Sequence, residues 1–147
     1  MTLKEQLNDA MKAAMKARDT LRLSAVRMVN SVIKNREIDT RTELNDQAVI
    51  DVISSLAKQR RESIRMFRDG NRLELADKEE LELSILLEFL PTQLSPDEID
   101  SLITQTIQDI SAQGVKDMGR VMKAVTPLTT GKADGKVVSD AVRRLLA

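Results

Sequence analysis

The residues of this chain that could do chemistry fall into three groups, and each is chemically narrow. Asp77, Glu79, Glu80 and Glu82 form an acidic run that invites a metal ion. Lys58, Arg60, Arg61, Arg65 and Arg68 form a basic run. Lys116, Arg120, Lys123, Lys132 and Lys136 surround a Gly131-Lys132-Ala133-Asp134-Gly135 loop that could hold a phosphate. The chain has no cysteine and no histidine. Thiolate nucleophiles, imidazole bases, disulfides and the usual zinc sites are excluded with them. The serines are scattered along helices, so no activated hydroxyl stands out. No catalytic residue, cofactor or metal is assigned.

Each group has a plain structural alternative. Carboxylates packed consecutively on a helix point in different directions and make no calcium loop. The acidic run is therefore read as a solvated face, or as one paired with the basic helix before it. At about 100° per residue, Lys58, Arg61, Arg65 and Arg68 share one arc, away from the apolar seam of Val49, Val52, Ile53, Leu56, Ile64 and Phe67. Arg60 falls in the seam itself, where a guanidinium needs an acidic partner and forms a structural ion pair. The glycine loop is not a P-loop, because position 126 is Thr and Ala133 stands where a magnesium-binding hydroxyl belongs.

The loop keeps a simpler use. Gly131 can close one helix through a positive φ, and Asp134 can cap the next. The helix opening at Gly135 carries about half an elementary positive charge. Its free amides, with those of residues 131–135, could hold a phosphate. Lys132 and Lys136 would bracket that phosphate, and Lys116, Arg120 and Lys123 would extend the contact. Gly131, Gly135 and these five cations form the candidate nucleic-acid-binding set. The bland alternative is that the glycines make the turn and the lysines keep it soluble.

The elements that must position these residues are helical. Phe67 and Phe89 are the only aromatics in a chain that is 41% hydrophobic, so the core must be Leu, Ile, Val, Met and Ala. Thr2-x-x-Glu5 starts a first helix, and Arg18-Asp19-Thr20 breaks it. A second helix is expected over Leu21–Glu37. A third runs to about Asp69, capped by Asn45 or Asp46. A fourth covers Leu73–Leu90 and is stopped by Pro91. After a short hinge at Phe89–Leu94, Ser95-Pro96-Asp97-Glu98 opens a fifth that ends at Gly114. Met118–Leu128 and Lys136–Leu146 follow, with Val121, Met122, Val125, Leu128, Val138, Ala141, Val142 and Leu145 inward. The fold class is all-α, a larger N-terminal bundle (1–91) and a small C-terminal three-helix bundle (92–147).

Net charge is zero but unevenly spread: residues 73–91 sum to −5 and residues 115–147 to +4. No apolar run approaches the roughly 18 residues needed to cross a bilayer, and no signal-peptide stretch is visible, so no membrane partner and a cytoplasmic location are expected.

Four stretches together resemble the GatB/YqeY family. They are Arg27-Met28-Val29 leading to Ile33–Ile38, Gln59–Ser63, Phe89–Ser95, and Lys116–Gly119 with the Gly131–Gly135 loop and Leu145-Leu146. The likeness covers essentially the whole chain. It implies the two-bundle architecture and a tRNA-binding module similar to the tail of the B subunit of tRNA-dependent amidotransferases, also appended to some glutaminyl-tRNA synthetases. The glutamine-dependent carbon–nitrogen ligase chemistry of that enzyme lies in other parts, and nothing in these residues supports it. The alternative is a protein-interaction module docking on a tRNA synthetase, an amidotransferase or another partner.

Overall fold

The structure is a computed structural model that describes all 147 residues. It contains seven α-helices and no strand: α1 (Leu3–Ala17), α2 (Thr20–Thr40), α3 (Asp46–Asp69), α4 (Leu73–Leu87), α5 (Pro96–Asp109), α6 (Met118–Thr129) and α7 (Gly135–Leu146). A 3₁₀ turn at Val115–Asp117 leads into α6. The chain forms two compact units, Met1–Leu90 and Pro91–Ala147.

In the first unit the local signals act as their chemistry requires. Thr2 and Glu5 cap one another reciprocally, and Asn45 accepts from the Ala48 N–H to open α3. Arg18 turns left-handed at φ 55°, and Asp19 re-caps the chain for α2. That helix passes the expected end at Glu37 and stops at Arg41, the next residue after Arg18 to adopt a left-handed φ. Glu37 is no terminator because its carboxylate turns to Lys4 Nζ at 2.7 Å and to the Leu44 N–H at 2.8 Å. Leu3, Leu7, Val26, Val29, Ile33, Val49, Val52, Ile53 and Leu86 form the core. Each fully buried aliphatic contributes about 1.5–3 kcal/mol.

Arg60 lies in the seam of α3 and finds its acids on α4. Its Nη1 is 2.9 Å from Glu79 Oε2 and 2.5 Å from Glu82 Oε2. The contact to Glu82 lies off the hydrogen-bond direction, so charge alone holds that buried oxygen. Arg68 takes Glu80 at 2.6 Å. Glu79, Glu80 and Glu82 of the acidic run are thus divided between arginines of α3, one of the two alternatives left open by the sequence, while Asp77 is exposed. Helix α4 ends at Leu87, short of Leu90, and residues 88–90 continue as i→i−3 turns. The approaching Pro91 disfavours helical backbone in the residue before it.

In the second unit the Ser95–Glu98 capping box and Pro96 open α5. That helix ends at Asp109, earlier than the expected Gly114, because Ser111 already takes φ 54°. Helices α5, α6 and α7 all pack on one another around Ile99, Ile103, Val121, Val125, Val138, Ala141, Val142 and Leu146. Leu128, expected inside, is half exposed, and Thr129 is buried in its stead. On a helical wheel Leu128 falls outside the arc centred between Val125 and Met118. Pro127 sits within the last turn of α6, where it removes one i→i−4 bond, to the Lys123 carbonyl, but leaves little helix beyond it to disrupt.

Two stability predictions follow from these pairings. Arg60→Ala strands two partly buried carboxylates and should lower unfolding stability by about 2–3 kcal/mol, read as the urea midpoint. The triple change R60M/E79L/E82L should recover most of that loss. The second concerns acid. Lys4 and then the Leu44 N–H hold the Glu37 carboxyl below its ordinary range. The Ser95 N–H does the same for Glu98, and the Gln113 N–H, followed by the charge of Arg120, for Asp117. Lowered folded values mean stability that is present above the unfolded pKa and lost as pH falls through the folded ones. Melting temperature should therefore hold from pH 7 to about 5 and drop below about pH 4. E37Q/E98Q/D117N should flatten that drop, and an unchanged profile would remove these carboxylates from the account.

Candidate nucleic-acid interface

The side chains of Lys116, Arg120, Lys123, Lys132 and Lys136 are all exposed. Lys116, Arg120 and Lys123, spaced by four and three, run down one face of the 3₁₀ turn and α6. Lys132 sits in the turn after Gly131, and Lys136 in the first turn of α7. Lys123, Lys132 and Lys136 make no ion pair. Lys116 lies near enough to Asp117 to help hold that carboxyl low, without pairing to it. The arginines differ. Arg120 donates through Nη2 to the Ile110 carbonyl at 2.7 Å and through Nη1 to Asp117 at 3.3 Å. Arg144 holds Asp100 at 2.7 Å, and Arg143 faces Asp140 at 3.6 Å. Uncompensated charge at this hairpin therefore belongs to lysine, while Arg120 serves mainly to brace the turn before α6.

The loop backbone is more committed than a phosphate cradle would be. The N–H groups of Lys132 and Ala133 both donate to the Thr129 carbonyl, at 2.8 and 3.1 Å. The Lys136 N–H, in the first turn of α7, donates to the Asp134 carboxylate at 3.1 Å. An anion at this helix start meets a carboxylate already in place. Gly131 is buried at φ 80°, so it serves the turn; a Cβ on Gly135 would meet open space. Of the seven residues expected to form the interface, the structure leaves the lysine side chains best placed to meet a ligand.

Two further residues shape the loop. Gln93 donates through Nε2 to the Gly131 carbonyl at 2.8 Å, and the Leu94 N–H donates to the Lys132 carbonyl at 2.8 Å. The stretch expected to be only a hinge is, at residues 93–94, a clasp on the glycine turn. Periodicity could not reveal it. A polar Gln two residues before a capping Ser, in the same resemblance as the loop, was the sole hint.

Comparison with known proteins matches residues 4–146 to a family described as Yqey-like protein. Among curated relatives are two mitochondrial proteins described as altered inheritance of mitochondria protein 41. The one from Kluyveromyces lactis is 38% identical over 108 residues, and the one from Vanderwaltozyma polyspora 36% over 107. Each alignment covers 71% of this chain and 58% of the relative. The Candida glabrata counterpart is 26% identical over 145 residues, covering 97% of this chain and 72% of its own length. The chain thus spans little more than half the length of the first two. Their names place them in mitochondria and overturn the cytoplasmic location expected from the sequence. That expectation tested for apolar segments, whereas mitochondrial addresses are amphipathic and basic, so the test was blind to them. No helix here is long and apolar enough to cross a membrane. With a match over nearly its whole length, this chain belongs to the Yqey-like protein family.

Proposed function

We propose that this protein is a tRNA-binding accessory module that acts by binding and not by chemistry, with its C-terminal hairpin on the phosphate backbone. The observation that carries this reading is the charge accounting of the hairpin. The arginines are engaged within the fold, whereas Lys123, Lys132 and Lys136 are exposed and make no ion pair. Lysine is a flexible point charge suited to phosphate. The likeness to the amidotransferase tail domain supplies the identity of the RNA. With neither Tyr nor Trp to stack on bases, contact is to backbone and shape.

A second reading, docking on a protein such as an aminoacyl-tRNA synthetase or amidotransferase, is favoured by one feature. A groove of about 260 Å³ between α5 and α7 has Pro96, Ile99, Val137 and Ala141 as its floor, with Asp100, Asp140 and Arg144 at its rim. Val137 is half exposed there.

The hairpin reading is tested by reversing two charges. K132E/K136E should leave the helical circular dichroism unchanged, since an acidic side chain in the first turn of α7 suits the helix dipole. It should weaken binding to bulk tRNA by tenfold or more at about 0.1 M salt and lower the slope of log affinity against log salt by about 1.5. Unchanged binding at matched salt would move the interface elsewhere. V137D, which spoils the apolar groove, should leave tRNA binding intact.

A further inference from the structure

The outer face of α2 has no counterpart in the proposed hairpin interface. The core side of this helix is Ala25, Val26, Val29 and Ile33. On the opposite side, within about 100° of arc, lie Thr20, Ser24, Arg27, Ser31, Lys34, Asn35 and, near the C-terminal end, Ile38, all exposed. No Asp or Glu falls in that arc. Neither carboxylate of α2 beyond its cap serves it: Asp39 lies outside the arc, and Glu37 is turned to Lys4 and the Leu44 N–H. From the packed helices, the nearby acid Glu88 is taken by Arg22 at 2.7 Å. Arg27 and Lys34 make no ion pair. They stand about 10 Å apart along the helix, the rise of about three successive phosphates on a helical strand. Between and beside them, serine hydroxyls and an amide supply the other donors that nucleic-acid backbones take. At the N-terminal half of the face, Thr20, Leu23, Ser24, Arg27, Met28 and Ser31 line a shallow groove of about 420 Å³.

We infer that this face of α2 is a second contact for the sugar–phosphate backbone of a folded RNA, with Arg27 and Lys34 on phosphates and Ser24, Ser31 and Asn35 as neutral donors. The occupant is a polyanion because the face is uniformly cationic or neutral over its whole length. An acidic protein would find no broad apolar centre there, since Leu23 and Met28 lie at the edges and Ile38, at the C-terminal end of the helix, is the one exposed apolar side chain within the arc. The inference rests on the reading of the protein as an RNA binder, but on different residues in the other unit.

The test uses the full chain and bulk tRNA at several salt concentrations. R27Q/K34Q should lower the slope of log affinity against log salt by about 1.5 and weaken binding by roughly tenfold at 0.1 M salt. K12Q/K16Q, an equal charge change on exposed lysines of α1, is the control and should leave the slope nearly unchanged. Unaltered circular dichroism must accompany both. If R27Q/K34Q binds like wild type, or if K12Q/K16Q lowers the slope as much, the α2 surface is overturned. A loss in K132E/K136E alone would overturn it while sparing the hairpin, and a loss in R27Q/K34Q alone would do the reverse. A wild-type chain that fails to bind tRNA at about 0.05 M salt would sink both.

Discussion

A guanidinium in an apolar seam is tolerable only when carboxylates come with it. Arg60 imposes that condition on the first unit. Taking an ion out of water costs several kcal/mol even after relaxation, so α3 can bury its seam only with α4 laid along it and Glu79 and Glu82, one turn apart, turned inward. The α3–α4 contact is accordingly the most extensive helix pair in the molecule. Lys4–Glu37 and Arg22–Glu88 repeat the arrangement at smaller scale, joining α1 to α2 and α2 to the turn that follows α4. Acidic side chains are in this way drawn onto cations within the fold. A chain of zero net charge can still present faces that are locally positive, and the outer face of α2 is one.

The second unit reaches a similar end by different means. Its turn is fixed by the backbone, through Gly131, the Thr129 carbonyl and the clasp of Gln93 and Leu94. Because the polypeptide's own donors hold the loop, the lysines around it need support nothing and remain in water. Such side chains keep their rotamer freedom, and under the proposed function this favours loose, shape-directed contact over a single fixed pose. The brace made by Arg120 on Ile110 and Asp117 shows the contrasting use, a cation spent on rigidity.

Features set by near neighbours were legible in the residues. The capping pairs Thr2–Glu5 and Ser95–Glu98, the caps Asn45 and Asp134, and the left-handed Gly131 all depend on contacts within a few positions. Arg60 was legible too, since its helical phase alone demands an acid, though phase could not say which acids would answer. Features settled at a distance were not legible. The Gln93–Gly131 bond joins positions 38 apart and leaves no periodic trace. The commitment of the Lys132 and Ala133 amides to Thr129 was hidden because a glycine-rich loop looks the same whether its N–H groups point outward or inward. The outward turn of Leu128 and the early end of α5 at Asp109, just before the left-handed Ser111, were decided by a few tens of degrees, finer than side-chain type can specify.

The small three-helix core has an order of arrival built into it. Of its eight buried members, Val138, Ala141, Val142 and Leu146 come from α7. Their burial is on the order of 5 kcal/mol, comparable to the whole net stability of a small domain. During synthesis from the N-terminus, α5 and α6 therefore emerge with an apolar groove that nothing yet fills, and the Gln93 clasp waits for a turn not yet made. The first unit has by then all of its helices. A nascent chain that has reached only Thr130 therefore carries a three-helix core lacking half of its buried members, and α7 completes it.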